Sequence, residues 1–355
     1  MTAGSVLVTG GAGFIGSHVV EALLARGRQA TVLDGLSTGR TENLPDDPRV
    51  HLVVGDVADP RALADALRGC RWVVHLAATA SVQHSIDDPI GSHRVNYEAT
   101  LRLLEGARRS GVERIVYASS AAIYGDAQQP PVDELGPLDP QTPYAIDKLA
   151  GEQALAFYRR VHGLQGVALR FFNVYGPRQR DDSPYSGVIS LFQRRVRCGE
   201  AVTVFGDGGQ TRDFVYVADV AHAVVELLLR PEAPPATAIN VGSGRATSVL
   251  DLMDAVESTV GARLARSFAA PRSGEVRHSR ANVERLRGAL GWIPTTTLET
   301  GLRRCSAVAA PPSSLSSSCT DAPVRQAFGD YDRRRLGPRP QGTLPLGSTW
   351  RRKRT

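Results

Sequence analysis

A chain of 355 residues, 42% hydrophobic and with 35 glycines, is long enough to bury a sizeable core in one large α/β body. Its net charge of +6 is unevenly placed: residues 303–355 hold eleven Lys or Arg against three Asp, so the tail carries +8 and the first 302 residues −2. The body is therefore not a basic nucleic-acid binder or a membrane-surface binder.

Short β-branched runs alternate with segments of helical period. In chain order the pattern predicts a strand at Ser5–Thr9, a helix at Phe14–Arg26, strands at Ala30–Asp34 and Val50–Val54, and a helix at Pro60–Arg68. A strand at Trp72–His75, a helix at Ile90–Arg109 and a strand at Arg114–Ser119 follow, then a helix at Pro143–Val161 and a strand at Gly166–Phe171. Strands separated by crossover helices predict a Rossmann-type doubly wound parallel sheet. Beyond about residue 175 Gly and Pro become frequent, and helical patterns return at Asp219–Leu229, Val249–Val260 and Asn282–Leu290. This predicts a smaller C-terminal α/β lobe over 176–303, with some chain crossing back, beside a nucleotide-binding domain over 1–175. Ser/Pro-rich and Arg-rich sequence over 304–355 lacks periodic apolar surface and predicts a disordered basic tail.

Cys70, Cys198, Cys305 and Cys319 form no CxxC pair and no metal-like spacing with histidine, so a reduced cytoplasmic protein without a metal site is expected. No export signal and no membrane span are expected either, since no run of about 18 apolar residues occurs. His18 and His75 show no HxxxH or HExxH spacing and read as packing or hydrogen-bonding residues.

The segment Val6-Leu7-Val8-Thr9-Gly10-Gly11-Ala12-Gly13-Phe14-Ile15-Gly16 sets glycines between the first strand and the first helix. A tight turn there needs conformational freedom, a pyrophosphate needs close backbone approach, and the helix start supplies unpaired N–H groups. Asp34, eighteen residues beyond Gly16 at the end of the second strand, is placed to accept the adenine ribose hydroxyls. Its charge would repel a 2′-phosphate, so NAD is expected rather than NADP.

Tyr144 and Lys148 lie four residues apart on one helix face. A phenol is a poor base at neutral pH, but a neighbouring ammonium and a positive nicotinamide ring would favour its phenolate. Ser119 and Ser120 end the fifth strand, at the carboxyl edge where doubly wound sheets bind ligands.

Together, TGGAGFIGSH at 9–18, the hydroxyls at 119 and 120, and YxxxK at 144–148 resemble the extended short-chain dehydrogenase/reductase family. More narrowly they resemble its NAD-dependent nucleotide-sugar epimerases and dehydratases of the UDP-hexose 4-epimerase type, over about residues 3–303. The resemblance implies a catalytic set of Ser120, Tyr144 and Lys148. It implies NAD contacts from Gly10, Gly13, Phe14, Ile15, Gly16, Asp34, Asp56, Val57, Leu76, Ala77, Ala78 and Phe171 as well as from Tyr144 and Lys148. For a UDP-sugar it implies Ser120, Tyr144, Asn173, Phe205, Arg212, Arg272, Glu275 and Ser279, with the two arginines on the diphosphate. A homodimer through the helices at Ile90–Arg109 and Pro143–Val161 is implied in the same way.

Members that eliminate water or carbon dioxide carry acids where this chain has Ala121 and Ala122, which cannot move protons. A 4-epimerase needs only the Tyr, the hydroxyl and NAD. Where hexose-restricted 4-epimerases have a bulky Tyr beside C2 of the sugar, this chain has Ser279, which implies room for an N-acetyl group and for UDP-GlcNAc/UDP-GalNAc as well as, or instead of, UDP-Glc/UDP-Gal. A UDP-glucuronate 4-epimerase, another nucleotide-sugar dehydratase or decarboxylase, and a non-catalytic NAD-binding regulator are the alternatives.

Overall fold

The computed structural model describes residues 5–181, 187–233, 236–271 and 276–308. Its first half contains β1 (Ser5–Thr9), α1 (Phe14–Ala25), β2 (Ala30–Asp34), β3 (Val50–Val54), α2 (Pro60–Leu67), β4 (Cys70–His75), α3 (Val82–Asp87), α4 (Pro89–His93), α5 (Ala99–Arg109), β5 (Arg114–Ser120) and α6 (Pro143–His162). The second half contains β6 (Gln165–Phe171), β7 (Asn173–Tyr175), α7 (Val188–Cys198), β8 (Val202–Phe205), β9 (Thr211–Arg212), β10 (Phe214–Tyr216), α8 (Val217–Leu229), β11 (Ala238–Val241), β12 (Thr247–Ser248), α9 (Val249–Val260), β13 (Arg266–Ala269), α10 (Glu284–Leu290) and α11 (Leu298–Val308).

Seven parallel strands form the main sheet in the order β11-β6-β5-β4-β1-β2-β3. The expected doubly wound α/β architecture is what forms. Alternate residues of β1 feed opposite faces: Val6 and Val8 pack with α1, α8 and Leu286 of α10, while Leu7 packs with α2, α5 and α6. Both faces are covered, so the central strands carry unbroken apolar runs instead of a polar alternation. The order reverses between β1 and β4, which opens a crevice at their carboxyl ends.

The expected single helix over Ile90–Arg109 differs in detail. It starts at Pro89, where Asp88 caps α4 by accepting from the Gly91 N–H, and one π-helical turn over Arg94–Glu98 separates α4 from α5. The extra residue of that turn lets Asn96 bind the loop after β4, its Oδ1 accepting from the Thr79 N–H at 2.8 Å. Polar pairing with a neighbouring loop is not visible in helical period, which is why the interruption is not predicted. At the other end α11 runs to Val308, past the boundary expected near residue 303. It is held by packing, with Leu302 fully buried and Leu298 and Cys305 against the lobe core of α7 and α9. The rest of the expected tail, 309–355, lies outside the described residues.

One buried ion pair ties α6 to β6. Arg170 donates through Nε and Nη2 to both oxygens of Glu152 at 3.0 and 2.8 Å, and through Nη1 to the Tyr124 hydroxyl and the Glu134 carbonyl. Burial alone would pull the guanidinium pKa down; Glu152 and Tyr124 outweigh it and hold it up. The Tyr124 hydroxyl in turn donates to Asn240 of β11 at 2.6 Å, so the turn that follows Ser120 is anchored to the sheet edge. Removing one partner leaves an uncompensated buried charge. Glu152→Ala is therefore expected to lower stability by about 3–5 kcal/mol, measured as a shift in the urea unfolding midpoint at unchanged slope.

Candidate active site

The carboxyl ends of the sheet strands open into a cleft of about 820 Å3. At the switch point the glycine turn leaves no room for side chains. Gly10 has φ +70°, and a Cβ there would lie 2.9 Å from the Ala77 nitrogen; one on Gly16 would lie 2.1 Å from the Gly10 carbonyl oxygen. Gly13 begins α1 without a side-chain cap, and no acid occupies the first turn. Its leading N–H groups and the positive end of the helix dipole are therefore available to an anion. Gly10, Gly13, Phe14, Ile15 and Gly16 all line the cleft.

Asp34 is buried at the end of β2 and shapes the same turn. Its Oδ2 accepts from the Ala12 N–H at 2.9 Å and its Oδ1 from the Leu36 N–H at 2.8 Å. Each carboxylate oxygen can accept a further bond, so the group can hold the glycine loop and still receive ribose hydroxyls. Asp56 and Val57 line the cleft beyond β3, with the Asp56 carboxylate accepting from the Ala58 N–H and paired with Arg94 at 3.2 Å. Leu76, Ala77 and Ala78 line it beyond β4.

The position of that β4 edge depends on His75. Fully buried, it bridges the Thr9 hydroxyl at 2.7 Å and the Thr100 hydroxyl at 2.8 Å, and Thr9 also accepts from the Ala77 N–H. Burial, with the Lys148 charge, pulls the imidazole down to about 3, so it stays neutral and acts as a strut. The expected hydrogen-bonding role of His75 fits this arrangement. His18 packs edge-on to Phe14 and bonds the Pro177 carbonyl.

At the reacting end, Thr142 caps α6 by accepting from the Ala145 N–H, Pro143 starts the helix, and Gly163 stops it in the left-handed conformation. This fixes the first turn, so Tyr144 and Lys148 stack on the face toward β5. Lys148 is 3% exposed and donates to the Ala118 carbonyl at 2.8 Å, with Nζ 5.7 Å from the centre of the Tyr144 ring. Burial raises the Tyr144 phenol pKa and the neighbouring Ser120 hydroxyl opposes the rise. Burial lowers the Lys148 ammonium to about 8, against the opposing charge of Asp147. The buried Ser119 hydroxyl also lines the cleft and has no partner among the described residues. A glycine cradle, a ribose-height carboxylate and this unpaired hydroxyl fit a dinucleotide lying across the switch point.

Phe171 and Asn173 line the cleft where it turns toward the lobe, beside Tyr175, Gln179, Val188 and Ile189. Phe205, Arg212 and Ser279 do not border this cleft. Phe205 ends β8, Arg212 donates to the Thr211 and Arg277 carbonyls, and the Ser279 N–H donates to the Thr211 carbonyl. Arg272 and Glu275 lie outside the described residues. Residues not singled out from the sequence include Ser37 and Thr38, which line the cleft just after Asp34. Two hydroxyls three and four residues after Asp34 were a readable signal. The wall at Val188 and Ile189 had none, since no helix is predicted over that stretch and two apolar residues in it carry no signal of their own.

A glycine turn at a switch point with a Tyr–Lys–Ser cluster at the next strand end defines a dehydrogenase-type dinucleotide enzyme. Residues 6–242 match the NAD dependent epimerase/dehydratase family. The UDP-glucose 4-epimerase of Mycolicibacterium smegmatis is 40% identical over 304 residues, spanning 84% of this chain and 96% of that one. Among solved structures, a UDP-N-acetylglucosamine 4-epimerase from Methanobrevibacter ruminantium in complex with UDP-N-acetylmuramic acid matches with TM-score 0.82 and 33% identity. The match covers 87% of this chain and 98% of that one. The Thermus thermophilus UDP-glucose 4-epimerase complex with NAD matches with TM-score 0.78 and 39% identity, over 86% and 98% of the two chains. The chain belongs to the NAD dependent epimerase/dehydratase family, and its cofactor is NAD. No described helix is long and apolar enough to cross a membrane.

The Lys148 ammonium is present below about pH 8 and is lost as pH rises through that value. If it favours the Tyr144 phenolate, kcat/KM falls on the alkaline side with a midpoint near pH 8. A pH–rate profile checks this, and Lys148→Met is expected to lower the rate and remove that limb.

Proposed function

We propose that the protein interconverts UDP-hexoses epimeric at C4. The observation that carries this reading is the distribution of carboxylates around the cleft. Among the described residues lining it, the carboxylates are Asp34 and Asp56, both at the β2–β3 end. The Tyr144 end has hydroxyls and an ammonium, with Ala121 and Ala122 following Ser120. Elimination or decarboxylation calls for a further acid or base beside the sugar; proton removal from one hydroxyl and its return need none.

NAD, when bound, takes a hydride from C4 and gives it back, so the reaction is redox neutral. Tyr144 removes the O4 proton, Ser120 shares a hydrogen bond with that oxygen and the phenol, and Lys148 favours the phenolate. The 4-keto sugar turns over, and Tyr144 returns the proton. By the family resemblance the diphosphate falls to Asn173, Arg212 and Arg272 and the uracil to Phe205; of the described residues in this set Asn173 lines the cleft, while Arg212 and Phe205 stand outside it. By the same resemblance Ser279 stands where hexose-restricted members carry a bulky Tyr, so UDP-GlcNAc is accepted together with UDP-Glc. The likeness to a UDP-N-acetylglucosamine 4-epimerase supports this wider pocket.

Incubation of the purified chain with UDP-Glc, UDP-GlcNAc and UDP-GlcA, with products separated chromatographically, tests both levels. UDP-Gal and UDP-GalNAc are expected, and Tyr144→Phe should reduce both by about a thousandfold or more with NAD still bound. Turnover of UDP-GlcA alone would replace the hexose reading by the uronate one. Full activity in Tyr144→Phe would remove the tyrosine from the mechanism.

The active unit is proposed to be a homodimer. Ile90, Leu101, Ile146, Phe157 and Val161 are exposed, all on α4, α5 and α6, and apolar exposure gathered on neighbouring helices marks an interaction surface. Light scattering is expected to give a dimer mass for the wild type and a monomer mass for the Leu101→Glu, Phe157→Arg double variant. A wild-type monomer would dismiss the dimer.

A further inference from the structure

A second glycine-bearing turn follows a parallel strand in this chain. After β11 comes Gly242-Ser243-Gly244, and the N–H groups of Ser243 and Gly244 converge as they do in an anion-binding nest. Their anion is internal. Asp213, fully buried in the one-residue gap between β9 and β10, accepts from the Ser243 N–H and hydroxyl through Oδ1, both at 2.7 Å. Its Oδ2 accepts from the Gly244 N–H at 2.9 Å and from the Ala281 N–H at 3.0 Å. A Cβ on Gly242 would lie 2.8 Å from that oxygen, so the turn closes on the carboxylate only because the residue is glycine.

Asp213 thereby joins three separate segments. Its backbone carbonyl accepts from the Asn173 N–H at 3.0 Å. The strap 277–281 runs alongside it: Thr211 donates to the Arg277 carbonyl and accepts from Ser279, and the carboxylate of Asp213 takes the next rung at Ala281. Arg212 sits between these rungs, its guanidinium donating to the Thr211 and Arg277 carbonyls. A buried acceptor with four donors on two oxygens allows one arrangement of those donors.

We propose that Asp213 is the positioning residue of the sugar-nucleotide end of the site, fixing Asn173, Arg212 and the Ser279 strap relative to one another. This rests on the sugar-nucleotide reading above. It separates the two ends of the active site: the dinucleotide end is organised by Asp34, the sugar-nucleotide end by Asp213.

The test uses the full chain, wild type and Asp213→Asn, titrated calorimetrically with UDP and with NAD and assayed with UDP-Glc. Asparagine keeps the size and one acceptor oxygen but turns an NH2 toward N–H donors. UDP affinity and the KM for UDP-Glc are expected to weaken about tenfold or more. NAD affinity and kcat at saturating sugar nucleotide should stay within about threefold. Should Asp213→Asn melt far below the wild type, Ser243→Ala decides. It removes the hydroxyl's bond to Asp213 and the one it accepts from the Arg245 N–H while keeping both backbone donors, and at an unchanged melting temperature it should weaken UDP about threefold or more. Unchanged UDP affinity in a folded Asp213→Asn or Ser243→Ala, or equal losses for UDP and NAD, overturns the proposal. A wild-type chain that binds NAD but not UDP overturns the sugar-nucleotide reading itself, and this proposal with it.

Discussion

The contact between the glycine turn and the end of β4 is the constraint on which the site depends. Gly10 is within backbone contact of Ala77, and Gly16 is seated on the Gly10 carbonyl, at distances no side chain permits. Bringing β1 and β4 side by side places the start of α1 next to the residues that follow β4, and β5 brings Ser120 alongside. The Thr9–His75–Thr100 chain then sets how far apart these ends stand. Because the imidazole stays neutral over the physiological range, that spacing does not change with pH.

The reacting end gains its chemistry from burial. A lysine sealed between α6 and β5 loses hydration, and its ammonium becomes easier to deprotonate. The phenol beside it becomes harder to ionise for the same reason, with the Ser120 hydroxyl working the other way. The free protein is therefore a weak base. On the proposed reading, the positive charge of oxidised NAD would supply what the arrangement lacks and favour the phenolate of Tyr144.

Two glycine turns in one chain show how alike the sequences of a ligand site and a structural site can be. Both follow parallel strands and both present converging N–H groups. At Gly10–Gly16 the donors face a cleft, while at Gly242–Gly244 a carboxylate from the chain itself fills them. The second turn anchors the lobe and thereby links Asn173 to the strap that carries Ser279.

The doubly wound parallel sheet was legible in the residues, since alternating β-branched and helical segments have few ways to pack, and so was the pairing of the glycine turn with Asp34, whose spacing is dictated by one βαβ unit; the strand order was not. Tyr144 and Lys148 were legible for a similarly local reason, a single turn of helix. The π-helical turn at Arg94–Glu98, the helix to Val308 and the hub at Asp213 were not, because each depends on partners between 17 and 109 residues away in sequence. Periodicity and spacing report only on neighbours along the chain. Which donors surround a buried carboxylate, and which carboxylates face the cleft, is decided when distant segments are brought together.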